Sequence, residues 1–295
     1  MNLPEEEAVQ YQRHLSLPGF GPEAQAKLRK SSVLVVGAGG LGCPALQYLV
    51  TAGVGRVGIV DDDKVEASNL QRQVLYTHDD IGQPKAGVAA RRLSRLNPYV
   101  EIVPHEERLT RDNVRDRLEG FDMVLDGTDS FASRYLINDA CVLFGKILVY
   151  GAIHQFEGQV SVFNLDGGPT YRCLFPEPPP PGTVPNCADM GVLGVLPGII
   201  GSMQALEAIK VASGVGEALS GKVLLYDALG NVTRTLALSR NPNGPEITDL
   251  PEEANFCGQS EAQAASVIMG IMPVELERMM KENPELLLLD VREDW

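Results

Sequence analysis

The chain has 295 residues, of which 44% are hydrophobic and 22% charged, and its formal net charge is −14. This composition is ordinary for a globular protein, and the length suffices for one large α/β domain with an appendage. No apolar run reaches the roughly 20 residues of a membrane span. The acidic balance argues against nucleic-acid binding, which needs a basic face. We therefore expect neither a membrane nor a nucleic acid among the partners.

The N-terminal segment predicts helices and a cytoplasmic protein. Residues 1–7 read MNLPEEE, which lacks the basic and apolar regions of a signal peptide. Residues 5–30 have a helical pattern that GFGP at 19–22 interrupts. The five cysteines are irregularly spaced, which argues against a disulfide framework.

A phosphate-binding turn follows the first predicted strand. Residues 33–36 form an apolar run, and a G-x-G-x-x-G sequence at 37–42 comes directly after it. Pro44 suits the first turn of the next helix, where a missing N–H costs nothing. A second apolar run at 57–60 ends at Asp61, where an acid meets a ribose hydroxyl in dinucleotide enzymes.

The sequence after this turn departs from what a dehydrogenase needs. Residues 68–73 read SNLQRQ and Lys85 follows, so that Arg72 and Lys85 bring two fixed cations towards the phosphates. Binding a dinucleotide requires no such pair, whereas stabilising the charge on a triphosphate during its cleavage does. The pattern therefore favours a nucleotide-cleaving enzyme.

Strands and helices alternate along the first half of the chain. Apolar runs at 101–103, 123–126 and 147–150 continue the pattern, which indicates a Rossmann-like α/β fold: a mainly parallel sheet with helices on both faces. We predict that the sheet continues into antiparallel strands at 159–164 and 222–226. Two further segments complete this prediction: a core helix at 198–211 and an extended, proline-rich loop at 175–182.

Together these motifs resemble the ThiF/MoeB family, the prokaryotic relatives of ubiquitin-activating enzymes. Five motifs carry the resemblance in the family's order: GAGGLGCP at 37–44, Asp61, SNLQRQ at 68–73, GQPK ending at Lys85, and DGTDS around Asp129. It covers residues 11–240 and implies ATP-dependent adenylation of the C-terminal glycine of a ubiquitin-like, MoaD/ThiS-like sulfur-carrier protein ending in Gly-Gly. It also implies pyrophosphate release, Mg²⁺, a homodimer, and a rhodanese or cysteine desulfurase as sulfur donor.

The resemblance implies nucleotide contacts at the glycine turn and along the segments that follow. These residues are Gly37, Gly39, Gly40, Gly42, Asp61, Ser68, Asn69, Leu70, Gln71, Arg72, Lys85, Asp129 and Ser130. Asp61 suits the ribose hydroxyls, and Arg72 and Lys85 suit the β- and γ-phosphates. Asp129 suits Mg²⁺ held against the phosphates. The simpler alternatives are a surface ion pair for Arg72 and a helix cap for Asp129.

Arg13 and Cys187 match family residues with other roles. Arg13 matches an arginine that reaches the partner subunit's nucleotide, although a basic residue in an N-terminal helix is ordinarily just solvated. Cys187 lies where the family carries a cysteine of sulfur chemistry, and its thiolate would attack the acyl-adenylate or pair with a persulfide. The alternative for Cys187 is a small buried side chain, the role that we expect for Cys43 and Cys141.

The C-terminal part differs in composition from the rest. Residues 241–295 contain twelve acidic and three basic side chains, and LLLLDVRE at 286–293 resembles the first strand of a rhodanese sulfurtransferase. We predict three regions: an adenylyltransferase domain at 1–250, with N-terminal helices at 1–30, a linker at 251–265 and an incomplete rhodanese-like start at 266–295. A whole rhodanese domain takes on the order of a hundred residues, so we expect no persulfide cysteine in this stretch.

The family's usual zinc ligands are missing. The family commonly binds zinc with two C-x-x-C pairs, but the first reads TYRC at 170–173, and NGPE at 243–246 replaces the second, with Cys257 further on. Two thiols do not close a tetrahedral site. We predict no zinc and a C-terminal segment held by packing alone.

Three other functions compete with adenylation of a carrier. An NAD-dependent oxidoreductase has no use for Arg72, Lys85 and Asp129 together. A tRNA-modifying dehydratase of the same superfamily also activates a carboxylate with ATP, but the acidic balance argues against RNA binding. A scaffold with a decayed site conflicts with the three intact side chains.

Overall fold

The computed structural model describes residues 3–179, 191–242 and 244–251. Three helices come first, and strands then alternate with helices as predicted. The elements of this part are α1 (Glu5–Gln10), α2 (Gln12–Leu15), α3 (Gly21–Lys30), β1 (Ser32–Val36), α4 (Gly42–Ala52), β2 (Arg56–Val60), α5 (Lys85–Leu96), β3 (Glu101–His105), α6 (Val114–Leu118), β4 (Met123–Asp126) and α7 (Phe131–Leu143). Short 3₁₀ turns occupy Ala67–Asn69 and His78–Asp80.

The second part consists mainly of antiparallel strands around one long helix. Its elements are β5 (Ile147–His154), β6 (Glu157–Phe163), α8 (Tyr171–Leu174), α9 (Val195–Ser213), β7 (Lys222–Asp227) and β8 (Val232–Ala237). The predicted strands at 159–164 and 222–226 and the predicted helix at 198–211 are therefore present, each slightly longer than expected.

The described strands form one sheet in the order β3-β2-β1-β4-β5-β6-β7-β8. The strands from β3 to β5 in this order are parallel, and β6, β7 and β8 are added antiparallel. The strand order reverses between β1 and β4, and in open α/β sheets ligands bind in the crevice at such a point. The predicted α/β fold class is confirmed.

Both faces of the parallel half are covered, which explains its continuous apolar runs. Every residue of β1 is buried. Val33 and Val35 pack with apolar side chains of α4, α5 and α9 on one face. Leu34 and Val36 pack with apolar side chains of α6 and α7 on the other. The alternation of side chains along β1 thus fills two separate cores.

The long helix α9 packs within the fold. It lies against α4 and against β5 and β6. By length and composition it is the one described helix that passes for a membrane span, and its packing against these elements accounts for its apolar sequence. The buried side chain of Gln204 in α9 donates from Nε2 to the Asp126 carbonyl oxygen at 2.7 Å. This bond ties α9 to the end of β4.

Two features differ from the sequence-based expectation. The sequence analysis did not predict strand β8, which pairs with β7. All residues of β8 are exposed, so its sequence lacks the alternation of buried and exposed residues that marks a strand. The GFGP segment does more than interrupt the N-terminal helices, since Gly21 and Pro22 form the first turn of α3. The predicted strand at 286–293, and the linker and rhodanese-like start apart from residue 251, lie outside the described residues.

Candidate active site

A cavity of about 650 Å³ opens at the carboxyl ends of β1, β2, β4 and β5. Its walls come from the glycine turn, the acids after β2, the loop after β4, the β5–β6 hairpin and the first turn of α9. Most of the predicted nucleotide contacts line this cavity: Gly37, Gly39, Gly40, Asp61, Asn69, Gln71, Arg72, Lys85, Asp129 and Ser130. Segments distant in sequence therefore meet at the carboxyl edge of the parallel strands.

The glycine turn is shaped by close backbone contacts. Gly37 has a φ of 91°, in the left-handed region, and a Cβ there would lie 2.8 Å from the Gly127 carbonyl oxygen. A Cβ on Gly42 would lie 1.9 Å from the Gly37 carbonyl oxygen. The turn leads directly into α4, and the N-terminus of such a helix favours phosphate through its free N–H groups and its dipole.

Asp61 is oriented by the backbone around it. Its Oδ2 accepts from the Ala38 N–H at 2.7 Å, and its Oδ1 accepts from the Asp63 N–H at 2.9 Å. Burial raises the pKa of Asp61 above its ordinary value, against the lowering effect of the Ala38 hydrogen bond and of the Lys85 charge. The carboxylate thus stands in a fixed position at the end of β2.

The two predicted cations have different partners. Lys85 is 5% exposed, and its Nζ lies 2.8 Å from Asp63 Oδ2. Arg72 forms no ion pair with any described residue; its guanidinium donates to the Ser68 carbonyl oxygen at 3.1 Å. Its Cδ would lie 3.7 Å from a Cβ on Gly40. The description of Arg72 as half of a surface ion pair therefore does not hold within the described chain.

The loop after β4 presents Asp129 to the cavity. Asp126 is fully buried, and its Oδ1 accepts from the backbone N–H and the hydroxyl of Thr128 at 2.9 and 2.7 Å. Ser130, not Asp129, caps α7, since its side chain accepts from the Ser133 N–H. Asp129 is exposed and has no hydrogen bond or ion pair to the residues that the structure describes. The helix-cap alternative for Asp129 is therefore wrong.

Several predicted residues stand apart from the cavity of their own chain. Gly42 is buried beneath the turn, the hydroxyl of Ser68 donates to a neighbouring acid, and Leu70 packs against the core. Arg13 is exposed on α2 and does not line the cavity. Cys187 lies outside the described residues.

The described cysteines fall into two classes. Cys43 and Cys141 are fully buried, as expected, and burial raises the pKa of the Cys43 thiol to about 12. Cys173 is half-buried, and its Sγ accepts from the Thr170 and Asn241 N–H groups, both at 3.4 Å. Burial raises the pKa of Cys173, but these hydrogen bonds outweigh it and the net pKa is lowered.

Sequence reasoning missed about two thirds of the residues that line the cavity. The missed polar residues are Asp62, Asp63, Gln73, Glu107, Arg108, Thr128, Ser133, Arg134, His154 and Gln155. Gln73 follows Arg72 within SNLQRQ, so its motif membership was an available signal. Thr128 lies within DGTDS, which offered the same signal. Arg134 lies one helical turn after the α7 cap, and the remaining residues belong to none of the five motifs.

Comparison with protein families adds a decisive observation. The ThiF family model matches residues 11–246, most of the chain. The chain belongs to the ThiF family.

Curated relatives of this ThiF-family chain support the assignment. A protein of Thermus thermophilus named "Sulfur carrier protein adenylyltransferase" is 54% identical over 269 residues, covering 88% of this chain and 99% of the relative. The "Probable adenylyltransferase/sulfurtransferase MoeZ" of Mycobacterium tuberculosis is 47% identical over 301 residues, covering 99% of this chain and 77% of the relative. Both therefore match nearly the whole chain.

Solved structures show the same fold. The crystal structure of E. coli MccB with AMPCPP and MccA superposes with a TM-score of 0.70 at 19% identity, over 82% of this chain and 76% of MccB. The structure of PaaA superposes with a TM-score of 0.69 at 20% identity, over 81% of this chain and 76% of PaaA. At these identities the likeness concerns the fold alone.

We expect Asp126→Asn to change the pH dependence of stability in this ThiF-family chain. Burial raises the pKa of Asp126 above its ordinary value of 3.8, although the Arg134 charge and Thr128 oppose it. The folded protein thus keeps this proton to higher pH than the unfolded chain, so the wild type loses free energy of unfolding relative to the variant as pH rises above about 4. Denaturant unfolding of both proteins between about pH 4 and pH 8 measures this. If the free energy of unfolding of the wild type instead rises relative to that of the variant as pH increases, the expectation is wrong.

Proposed function

We propose that this chain uses ATP to adenylate the C-terminal glycine of a ubiquitin-like sulfur-carrier protein and releases pyrophosphate. One observation carries the proposal: the glycine turn, Asp61, Arg72, Lys85 and Asp129 share one cavity. They do so in a chain that is 54% identical to a protein named as a sulfur carrier protein adenylyltransferase.

The proposed reaction is an in-line displacement at the α-phosphorus of ATP. A carboxylate oxygen of the carrier's terminal glycine forms a bond to this phosphorus while the bond from phosphorus to the bridging oxygen breaks. The electron pair leaves with pyrophosphate, and the product is carrier-AMP. Arg72 and Lys85 contact the leaving β- and γ-phosphates in this proposal, because their positive charges offset the negative charge that develops there.

The remaining contacts position the nucleotide. We propose that Asp61 accepts hydrogen bonds from the ribose hydroxyls. Its carboxylate is held in place by the Ala38 and Asp63 N–H groups. We assign the phosphate chain to the glycine turn and the start of α4. Mg²⁺ is bound through one or two carboxylates together with substrate phosphates, and Asp129 offers a cavity-facing carboxylate without a described protein partner. Bound there, Mg²⁺ supplies charge neutralisation.

The finer features of the proposal concern partners and domains. We infer a cytoplasmic homodimer in which Arg13 of one subunit serves the nucleotide of the other, since Arg13 does not line its own cavity. The activated glycine would become a thiocarboxylate through a rhodanese or a cysteine desulfurase, with Cys187 in sulfur transfer. Residues 266–295 would begin a rhodanese-like domain, and the name of the MoeZ relative, an adenylyltransferase/sulfurtransferase, supports this.

Carrier-dependent exchange of pyrophosphate into ATP tests the proposal. With Mg²⁺ and a panel of Gly-Gly-ended carriers, we expect exchange that requires a carrier. Asp129→Ala should lower the rate by about a hundredfold or more, because a charge-stabilising contact is lost. Asp112→Ala is the matched control, since Asp112 is exposed outside the cavity. ATP binding without exchange for any carrier, or exchange stimulated by tRNA instead, contradicts the proposal.

Subunit mixing tests the role of Arg13. Arg13→Ala and Lys85→Met should each inactivate their homodimer, because every site then lacks one cation. A mixture of the two should recover about one quarter of wild-type activity, since half of randomly paired dimers contain one complete site. Full activity of Arg13→Ala alone, or no recovery after verified subunit exchange, would falsify the trans role.

Metal analysis tests the predicted lack of zinc. Cys173 faces Thr170 and Asn241, and together with Cys257 it offers two thiols, which do not close a tetrahedral zinc site. Protein purified without chelators should therefore contain well below one zinc per chain. Stoichiometric zinc that leaves after alkylation of Cys173 contradicts the prediction.

A further inference from the structure

The side chain of Gln73 is a buried carboxamide in the cavity wall to which no role has been given above. It is 4% exposed and lines the cavity. Its backbone is fixed on both sides: its N–H donates to the Asn69 carbonyl oxygen at 2.9 Å, and its own carbonyl oxygen accepts from the Tyr76 N–H at 3.1 Å. The backbone from which this side chain extends is therefore fixed by its neighbours in the chain.

The carboxamide lacks protein partners within the described part of the chain. Its Oε1 is buried without a hydrogen bond, and its Nε2 donates to no described residue. Asn69, four residues earlier, differs: its Oδ1 accepts from the Glu66 N–H and its Nδ2 donates to Ser68. Leaving a buried amide unpaired costs free energy, and roughly 90% of buried polar groups avoid this. The buried Oε1 has no partner among the described residues, whereas the Nε2 is not among the buried unpaired atoms and is therefore the amide atom that a ligand in the cavity can reach.

The amide nitrogen faces the centre of the glycine turn. A Cβ on Gly39 would lie 3.5 Å from Gln73 Nε2, and a Cβ on Gly40 would lie 3.7 Å from Arg72 Cδ. Arg72 and Gln73 thus stand beside successive glycines. A primary amide has two N–H donors and no charge, whereas phosphate oxygens only accept. The atom nearest the turn is the one that fits a phosphate.

We propose that Gln73 Nε2 donates a hydrogen bond to the α-phosphate of the nucleotide at Gly39, as an uncharged counterpart to Arg72 and Lys85. The inference rests on the proposed function. In adenylation the β- and γ-phosphates leave, whereas the α-phosphate stays and receives an anionic carboxylate. A neutral donor orients the α-phosphate without a positive charge that would bind the incoming carboxylate away from phosphorus.

Two substitutions of similar size distinguish the role of the donor nitrogen from that of the acceptor oxygen. Gln73→Glu keeps an acceptor oxygen, removes both donors and adds a negative charge, whereas Gln73→Met removes donor and acceptor. We expect Gln73→Glu to weaken binding of a non-hydrolysable ATP analogue and to slow exchange by about tenfold to a hundredfold. Gln73→Met should lose less analogue binding and less exchange activity than Gln73→Glu. Neither variant should change the KM for the carrier. Gln47→Glu, on α4 outside the cavity, is the matched control.

The outcomes decide the inference independently of the proposed function. Wild-type binding and exchange in both Gln73 variants overturn it. A Glu variant that works while the Met variant fails also overturns it, because the functional atom is then the oxygen. Thermal unfolding checks the fold, and if Gln73→Glu does not fold, a binding loss in folded Gln73→Met supports the inference and wild-type binding overturns it. If the wild type shows no carrier-dependent exchange, the proposed function fails, but analogue binding still tests Gln73.

Discussion

The backbone contact between the ends of β1 and β4 is the constraint on which the cavity depends. Gly37 and Gly127 approach so closely that a Cβ on either would lie 2.8 Å from the other's carbonyl oxygen. The Gly127 N–H donates to the Val36 carbonyl oxygen, and the Gly37 N–H donates to that of Val60, both at 2.8 Å. Three strand ends are thereby locked together without an intervening side chain. The space above them is left for a ligand.

The two cations of the cavity, Lys85 and Arg72, differ in the partners that the described residues offer them. A buried cation such as Lys85 needs a partner, because an unpaired buried charge costs several kcal/mol, of the order of 3–5. In this structure Asp63 is that partner. Under the proposed function, phosphate oxygens compete with Asp63 for Lys85, whereas Arg72 is held by a single carbonyl oxygen. Under the proposed function, Lys85 must therefore give up an ion pair to bind phosphate, whereas Arg72 gives up only one hydrogen bond.

Most strands of the sheet and the position of the glycine turn could be predicted from the sequence because their signals are local. The buried strands have apolar runs, and the turn at 37–42 has its glycines at fixed offsets. By contrast, β8 is exposed throughout and so leaves no burial pattern. Arg134 belongs to the cavity only because α7 is oriented by the loop after β4. Motif membership also extended the predicted set beyond the cavity wall, since Gly42 and Leu70 belong to the turn and the core and do not line the cavity.

The contact between Gly40 and α9 has a consequence for how the enzyme matures during translation. A Cβ on Gly40 would lie 3.0 Å from Pro197, so the first turn of α9 forms one wall beside the glycine turn. The ribosome releases the chain from its N-terminus, and domains fold as their parts emerge. The glycine turn and β2 leave the exit tunnel long before α9 does. A nascent chain therefore carries the cavity without the wall that Pro197 provides until α9 has emerged.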